Sequence, residues 1–257
     1  MQQSGTARPM LNISNVMVFY ENALALNDFS MSVDPGSIVA VIGSNSAGKT
    51  TLMNTISGLI LDTKIKEQRK GGERITLYGT LTLDGEDITN LEPNERVRMG
   101  MVLCRERHPI FPESDVVENL KIAGYLRKRS EVWENINYVF ELFPTLVRLK
   151  SRKAGFLSGG EEQMLTIGMA LVIKPRLLLL DEPLLGLSPM MQKILVDAIK
   201  KIRSETGLTI VITEQFARPI LPMIDYGYII ENGMLIMQGT GKELMENPEV
   251  KSAYFGV

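Results

Sequence analysis

The segment GSNSAGKT at 43–50 constrains this chain more than any other. It fits the pattern G-x-x-x-x-G-K-[ST], and its setting gives the pattern meaning. The apolar run SIVAVIG (37–43) before it reads as a buried strand, and KTTLMNTISGL after it reads as a helix. A strand that turns through such a loop into a helix gathers backbone N–H groups at the positive end of the helix dipole, a cradle for phosphate. The cradle comprises Gly43, Ser44, Asn45, Ser46, Ala47, Gly48, Lys49, Thr50 and Thr51. N–H groups from 45 to 51 are expected to wrap a nucleotide's β-phosphate, Lys49 to neutralise β- and γ-phosphate oxygens, and the Thr50 hydroxyl to ligate Mg²⁺. If position 46 needs a positive φ, Ser46 carries strain of about 1 kcal/mol.

A second run, RLLLLDE (176–182), places Asp181 at the exit of a buried strand, where a carboxylate can hold the Mg²⁺ shell. Glu182 then stands where a general base would meet the attacking water of ATP hydrolysis; its reach and pKa are matters for the structure. A third segment, LSGGEEQ (157–163), precedes Asp181 and opens a predicted helix, so Ser158, Gly159 and Gly160 form another anion-ready N-terminus. Two such N-termini in one chain suggest that one serves the nucleotide of another subunit.

The rest of the chain reads as α/β. Residues 11–35 alternate apolar and polar side chains and predict an antiparallel flank, joined by a second β stretch at 75–85. A short helix is expected before a strand at 101–104. Between 113 and 172 apolar residues recur at helical spacing, and from 176 strands and helices alternate again, with an Asn232-Gly233 hairpin turn and a helical C-terminus. The organisation expected is one domain over 1–257: a core of 11–112 and 173–257, and a helical lobe of 113–172. The polar, glycine-interrupted stretch 63–75 reads as an exposed loop. A net charge of −2 gives no basic footprint for nucleic acid. The single cysteine, Cys104, excludes an internal disulfide and reads as a buried thiol. No apolar run approaches the roughly 18 residues of a membrane-spanning helix, so a soluble chain is expected.

The three motifs in this order resemble the ABC ATPase family, and the resemblance runs from about residue 10 to 256. It implies a P-loop NTPase fold of the ABC type, with an antiparallel β flank and a helical lobe carrying the LSGGE signature. It further implies ATP with Mg²⁺, and two ATPase domains packed head to tail. Ser158, Gly159 and Gly160, with Glu161 completing the signature, would meet the γ-phosphate held by the partner's loop. Tyr20 falls where the family stacks an aromatic on adenine, although a tyrosine simply packed in the sheet is the competing reading. Glu106 stands where most members carry a glutamine that links Mg²⁺ and water to the helical lobe. Gln215 stands where a histidine usually meets the γ-phosphate; the sole histidine, His108, lies elsewhere and reads as a surface or hinge residue. LLGLSPM (184–190) resembles the loop at the dimer interface. Against the frequent GPNGAGKT, the phosphate loop has Ser44 for proline and Ser46 for glycine.

With VVENL, DEPLLGLSP, TEQFA and SAYFG, these departures resemble the ATPase subunits of branched-chain amino-acid importers. The partners implied are a second ATPase subunit (non-identical, or a second copy when isolated), two membrane permeases and, indirectly, a solute-binding protein. The place implied is the cytoplasmic face of the inner membrane. Two alternatives stand beside this: a nucleotide-responsive module with little turnover, which the missing histidine would suit, and a soluble ABC ATPase outside transport.

Overall fold

A computed structural model of the chain describes residues 8–72, 74–105 and 110–255, so Glu106 and His108 lie outside the described residues. Strands β1 (Leu11–Tyr20) and β2 (Ala23–Val33) form a hairpin. With β4 (Ile75–Leu83) and β5 (Glu86–Asp87) they make an antiparallel sheet of order β2-β1-β4-β5. The larger sheet contains β3 (Ile38–Ile42), β6 (Met101–Cys104), β7 (Leu177–Asp181), β8 (Thr209–Glu214), β9 (Tyr226–Glu231) and β10 (Met234–Thr240). Its order is β10-β9-β3-β8-β7-β6, parallel except for the β9–β10 hairpin.

Every residue of β3, β7 and β8 is buried, because both faces of this sheet are covered. Val39, Val41, Leu177, Leu179 and Val211 pack in one core with Leu52, Met53 and Ile56 of α1 (Lys49–Ser57) and the inner face of the antiparallel sheet. Ile38, Ala40, Ile42, Leu178, Leu180, Ile210 and Ile212 pack in the other core with α7 (Gly159–Val172) and α8 (Pro189–Thr206). That double burial is why these runs read as continuously apolar rather than alternating.

Between β6 and β7 the described chain is helical: α4 (Val116–Ala123), α5 (Arg129–Leu142), α6 (Pro144–Arg148) and α7. Helix α4 starts at a reciprocal cap, with Asp115 accepting from Glu118 N–H and Glu118 accepting from Asp115 N–H. The remaining helices are α3 (Pro93–Arg98), α9 (Gly241–Glu246) and α10 (Pro248–Tyr254).

Two expectations need correction. The stretch 63–75 is not a loop throughout, because α2 (Leu59–Lys70) continues to Lys70 and ends at Gly71, which has φ 66. Only Ile60 is buried on α2, and a Lys66–Asp62 pair at 2.7 Å supports one exposed turn, so the polar composition reflects exposure and not irregularity. Nor does one helix run through KTTLMNTISGL: Gly58, with φ 83, ends α1 and begins α2.

The register brings three strand ends together. Ile42 lies beside Glu214, and Asp181 beside Thr213, so β3, β8 and β7 deliver their carboxyl ends to one line.

Candidate nucleotide site

From Ile42 the chain enters the phosphate loop, whose Gly43 N–H donates to the Glu214 carbonyl at 3.2 Å. Gly48, at the mouth of α1, has φ 108, and a Cβ there would lie 2.8 Å from the Ala25 carbonyl oxygen, so only glycine fits. The Asn232-Gly233 turn braces the loop from the side. Gly233 N–H donates to Ala47 O and Gly233 O accepts from Asn27 N–H, each at 2.9 Å. Both turn residues have positive φ, as this hairpin type demands, and a Cβ on Gly233 would meet Ala25 O at 2.5 Å. Ser46 takes φ 65 on the exposed rim of the loop, the left-handed conformation considered above.

Lys49 is turned inward. Its Nζ donates to Gly43 O at 2.7 Å and Ser44 O at 2.8 Å, and pairs with Glu182 Oε1 at 3.0 Å, so its three protons have three acceptors. Lys49 is 4% exposed and Glu182 8%, which removes the pair from the screening that weakens surface ion pairs. Glu182 has φ 47, a conformation that costs an L-residue about 1–2 kcal/mol. Its N–H donates to Thr213 O and Thr213 Oγ1, each at 3.1 Å, and the Thr213 hydroxyl donates to Asp181 Oδ1 at 2.7 Å. Above these groups opens a cavity of about 300 Å³ lined by Leu24, Ala25, Ser46, Gly48, Lys49, Thr50, Thr51, Glu182 and Asn232.

This donor set fits a nucleotide phosphate with Mg²⁺. One buried ammonium, two hydroxyls and a helix N-terminus would meet the anion. Thr50 lines the cavity and Asp181 ends β7 beside Glu182, and each offers a hard oxygen. A Mg²⁺ ion bound by few protein oxygens, its shell completed by phosphate and water, matches that supply.

Other residues singled out from the sequence lie apart from the cavity. Tyr20 is half-buried at the end of β1 and packs against the core beneath, while Leu24 and Ala25 of β2 line the cavity instead. Gln215 is half-buried just after β8 and is not among the lining residues. Ser158 caps α7, its N–H donating to Glu161 Oε2 at 2.7 Å. Gly159 is exposed, with nothing within 4 Å of where a Cβ would stand, whereas Gly160 lies against Met191, whose Cε would be 2.4 Å from an added Cβ. This second N-terminus therefore opens to solvent and not onto Lys49. Apolar side chains also project around the start of α8, with Leu185 41% and Met190 73% exposed.

Two buried ionisable residues escaped the sequence reading. The Glu214 carboxyl accepts from Leu184 N–H at 2.8 Å. Burial pushes it up to about 8, and the Glu182 charge adds to the rise, while N–H groups of Leu184 and Gln215 and the Lys49 charge oppose it. The only signal for it was a carboxylate ending the apolar run TIVITE. Arg96, 1% exposed, donates to the carbonyls of Thr55, Ile56, Leu91 and Thr89. It thus places a cation at the C-terminal end of α1, whose N-terminus follows the 43–48 loop. Burial lowers its pKa to about 10.

Comparison with known proteins decides the family: residues 26–185 match the model of the ABC transporter family. The chain belongs to that family. It is 36% identical over 247 residues to the high-affinity branched-chain amino acid transport ATP-binding protein BraG of Pseudomonas aeruginosa, covering 96% of this chain and 100% of that one. It is 35% identical to the probable branched-chain amino acid transport ATP-binding protein LivF of Archaeoglobus fulgidus, covering 96% of this chain and 99% of LivF. Among solved structures, the ADP conformation of MJ1267, an ATP-binding cassette of an ABC transporter, superposes with a TM-score of 0.81 at 27% identity, covering 98% of this chain and 100% of MJ1267. The P-loop ABC ATPase fold expected from the three motifs is the fold observed. The chain is an ATPase coupled to transport. No described helix is long and apolar enough to cross a membrane.

Proposed function

We propose that this ABC ATPase is the energy-coupling subunit of an importer for branched-chain amino acids or a related small polar solute. It would sit on the cytoplasmic face of the membrane against two permease subunits, with a second, non-identical ATPase chain as partner and a solute-binding protein delivering the cargo. The observation that carries the shared-site part is the pair of helix N-termini. One opens into the Lys49 cavity, and the other, at Ser158, is exposed and does not line it. Each nucleotide would then lie between Lys49 of one chain and the signature residues Ser158, Gly159, Gly160 and Glu161 of the other.

The buried Lys49–Glu182 pair supports the following sequence of events at the site. An arriving γ-phosphate competes for Lys49, which releases the Glu182 carboxylate to take a proton from the attacking water. Thr50 and Asp181 would hold Mg²⁺, which supplies neutralisation of phosphate charge when bound. Tyr20 would stack on the adenine. Gln215 would sense the γ-phosphate, and Glu106 would link the metal shell to the helical lobe of 113–172, whose rotation moves the permeases.

Reconstitution with both permeases, the partner ATPase and the binding protein in ATP-loaded proteoliposomes tests this. Uptake of labelled leucine, isoleucine or valine is expected, and Lys49→Ala should abolish it. ATP hydrolysis that no small polar solute stimulates, with no uptake of a branched-chain amino acid or of a related solute, would contradict the assignment.

A further inference from the structure

Glu214 is a buried ionisable group that the sequence of events above leaves without a role. It ends β8 between the strands that carry the phosphate loop and Asp181, and it is 3% exposed. Its backbone carbonyl accepts from Gly43 N–H, and its carboxyl accepts from Leu184 N–H at 2.8 Å. Leu184 is two residues beyond Glu182, and Pro183 between them has no N–H to give. The turn that carries Glu182 therefore has two backbone donors over 182–184, and consecutive residues of β8 take both: Thr213 holds the N–H of Glu182 and Glu214 holds that of Leu184. Leu185 N–H closes the turn onto Glu182 O at 3.2 Å. Glu182 keeps its left-handed φ of 47 inside this frame, and such a conformation persists only where the surroundings over-determine it.

We propose that Glu214 is a positioning residue for ATP hydrolysis: acting through Leu184 N–H, its carboxyl holds the turn that aims Glu182 at the reacting centre. The proposal rests on the assignment of Glu182 as general base. What it requires of position 214 is a hydrogen-bond acceptor of this reach in a closed space. Glutamine keeps that acceptor, whereas methionine fills a similar volume without it.

The test is steady-state ATPase kinetics of the assembled transporter with Glu214→Gln and Glu214→Met, alongside Glu182→Gln, together with ATP binding and thermal melting of each full-length chain. Misplacing a reacting group by about 1 Å costs on the order of 100-fold. We therefore expect Glu214→Met to lose roughly 10- to 100-fold in kcat with KM for ATP and ATP affinity within about 3-fold, and Glu214→Gln to stay within about 3-fold of wild type. Wild-type kcat in the Met variant overturns the proposal. So does a raised KM at unchanged kcat, which would place Glu214 in nucleotide binding through Gly43. Equal losses in the Gln and Met variants would show that the acid itself is needed, and a Met variant that no longer folds would make Glu214 a support of the fold; either result also overturns it. The base assignment is judged separately. An active Glu182→Gln variant sinks that assignment, whereas an inactive one beside a fully active Glu214→Met sinks only the positioning role.

Discussion

Replacing Ser46 by glycine probes whether the phosphate loop is strained at the residue where it departs from GPNGAGKT. Ser46 has φ 65 and an exposed side chain, so the exchange removes no buried contact. A left-handed L-residue costs about 1–2 kcal/mol, which glycine avoids. Glycine in turn gives the unfolded chain more freedom, a loss of about 0.5–1 kcal/mol. The expected net effect of Ser46→Gly is a gain of about 0.5 kcal/mol. Ser44 supplies the control, because it is exposed on the same loop without a positive φ, so Ser44→Gly meets only the second effect. The two variants should differ by about 1–2 kcal/mol. For a chain of this size each kcal/mol moves Tm by roughly 2–4 °C, so calorimetry on the nucleotide-free protein should find Ser46→Gly melting about 4 °C above Ser44→Gly. Equal melting, or the reverse order, would refute the strain argument.

Other expectations follow from the buried ions. Burial pushes the Glu214 carboxyl from its ordinary 4.5 up to about 8 in the folded state, so between those pH values the folded chain binds more protons than the unfolded one. Stability from this group therefore falls as pH rises from about 4.5 towards 8, by a few kcal/mol in order of magnitude. Urea midpoints at pH 5.5 and 8 should converge in Glu214→Gln relative to wild type, and an unchanged gap would refute the assignment. Arg96→Met leaves the carbonyls of Thr55 and Ile56 without their buried donor. It should cost roughly 3 kcal/mol or more in urea unfolding, and a loss under about 1 kcal/mol would show that α1 does not depend on it.

Much of the site was legible because its motifs are local. A glycine-rich loop between an apolar strand and a helix, and a carboxylate pair after four leucines, each state their geometry within a few residues. What was not legible comes from distant segments meeting at the carboxyl edge. Asn232-Gly233 reads as a turn, yet nothing near it says that the turn braces Ala47 from across the sheet. Thr213 and Glu214 read as the polar end of a strand, and their hold on the 182–184 backbone depends on β8 lying between β3 and β7. Helix α2 was misread because charge density and the glycine pair 71–72 outweighed a weak apolar pattern, in which Ile60 alone is buried. Arg96 sits in a polar segment whose composition predicts exposure, yet it is buried where its guanidinium meets carbonyls at the end of α1 and in the turn at 89–91.

The central claim is that Lys49 and Glu182 exchange one another for the nucleotide, Lys49 holding phosphate while Glu182 activates water. Phosphate release and retained nucleotide, measured together on the assembled transporter carrying Glu182→Gln, test it most directly. ATP should stay bound at wild-type affinity or tighter while phosphate release falls by at least about 100-fold, the scale of a lost general base. Release at the wild-type rate from that variant would contradict it.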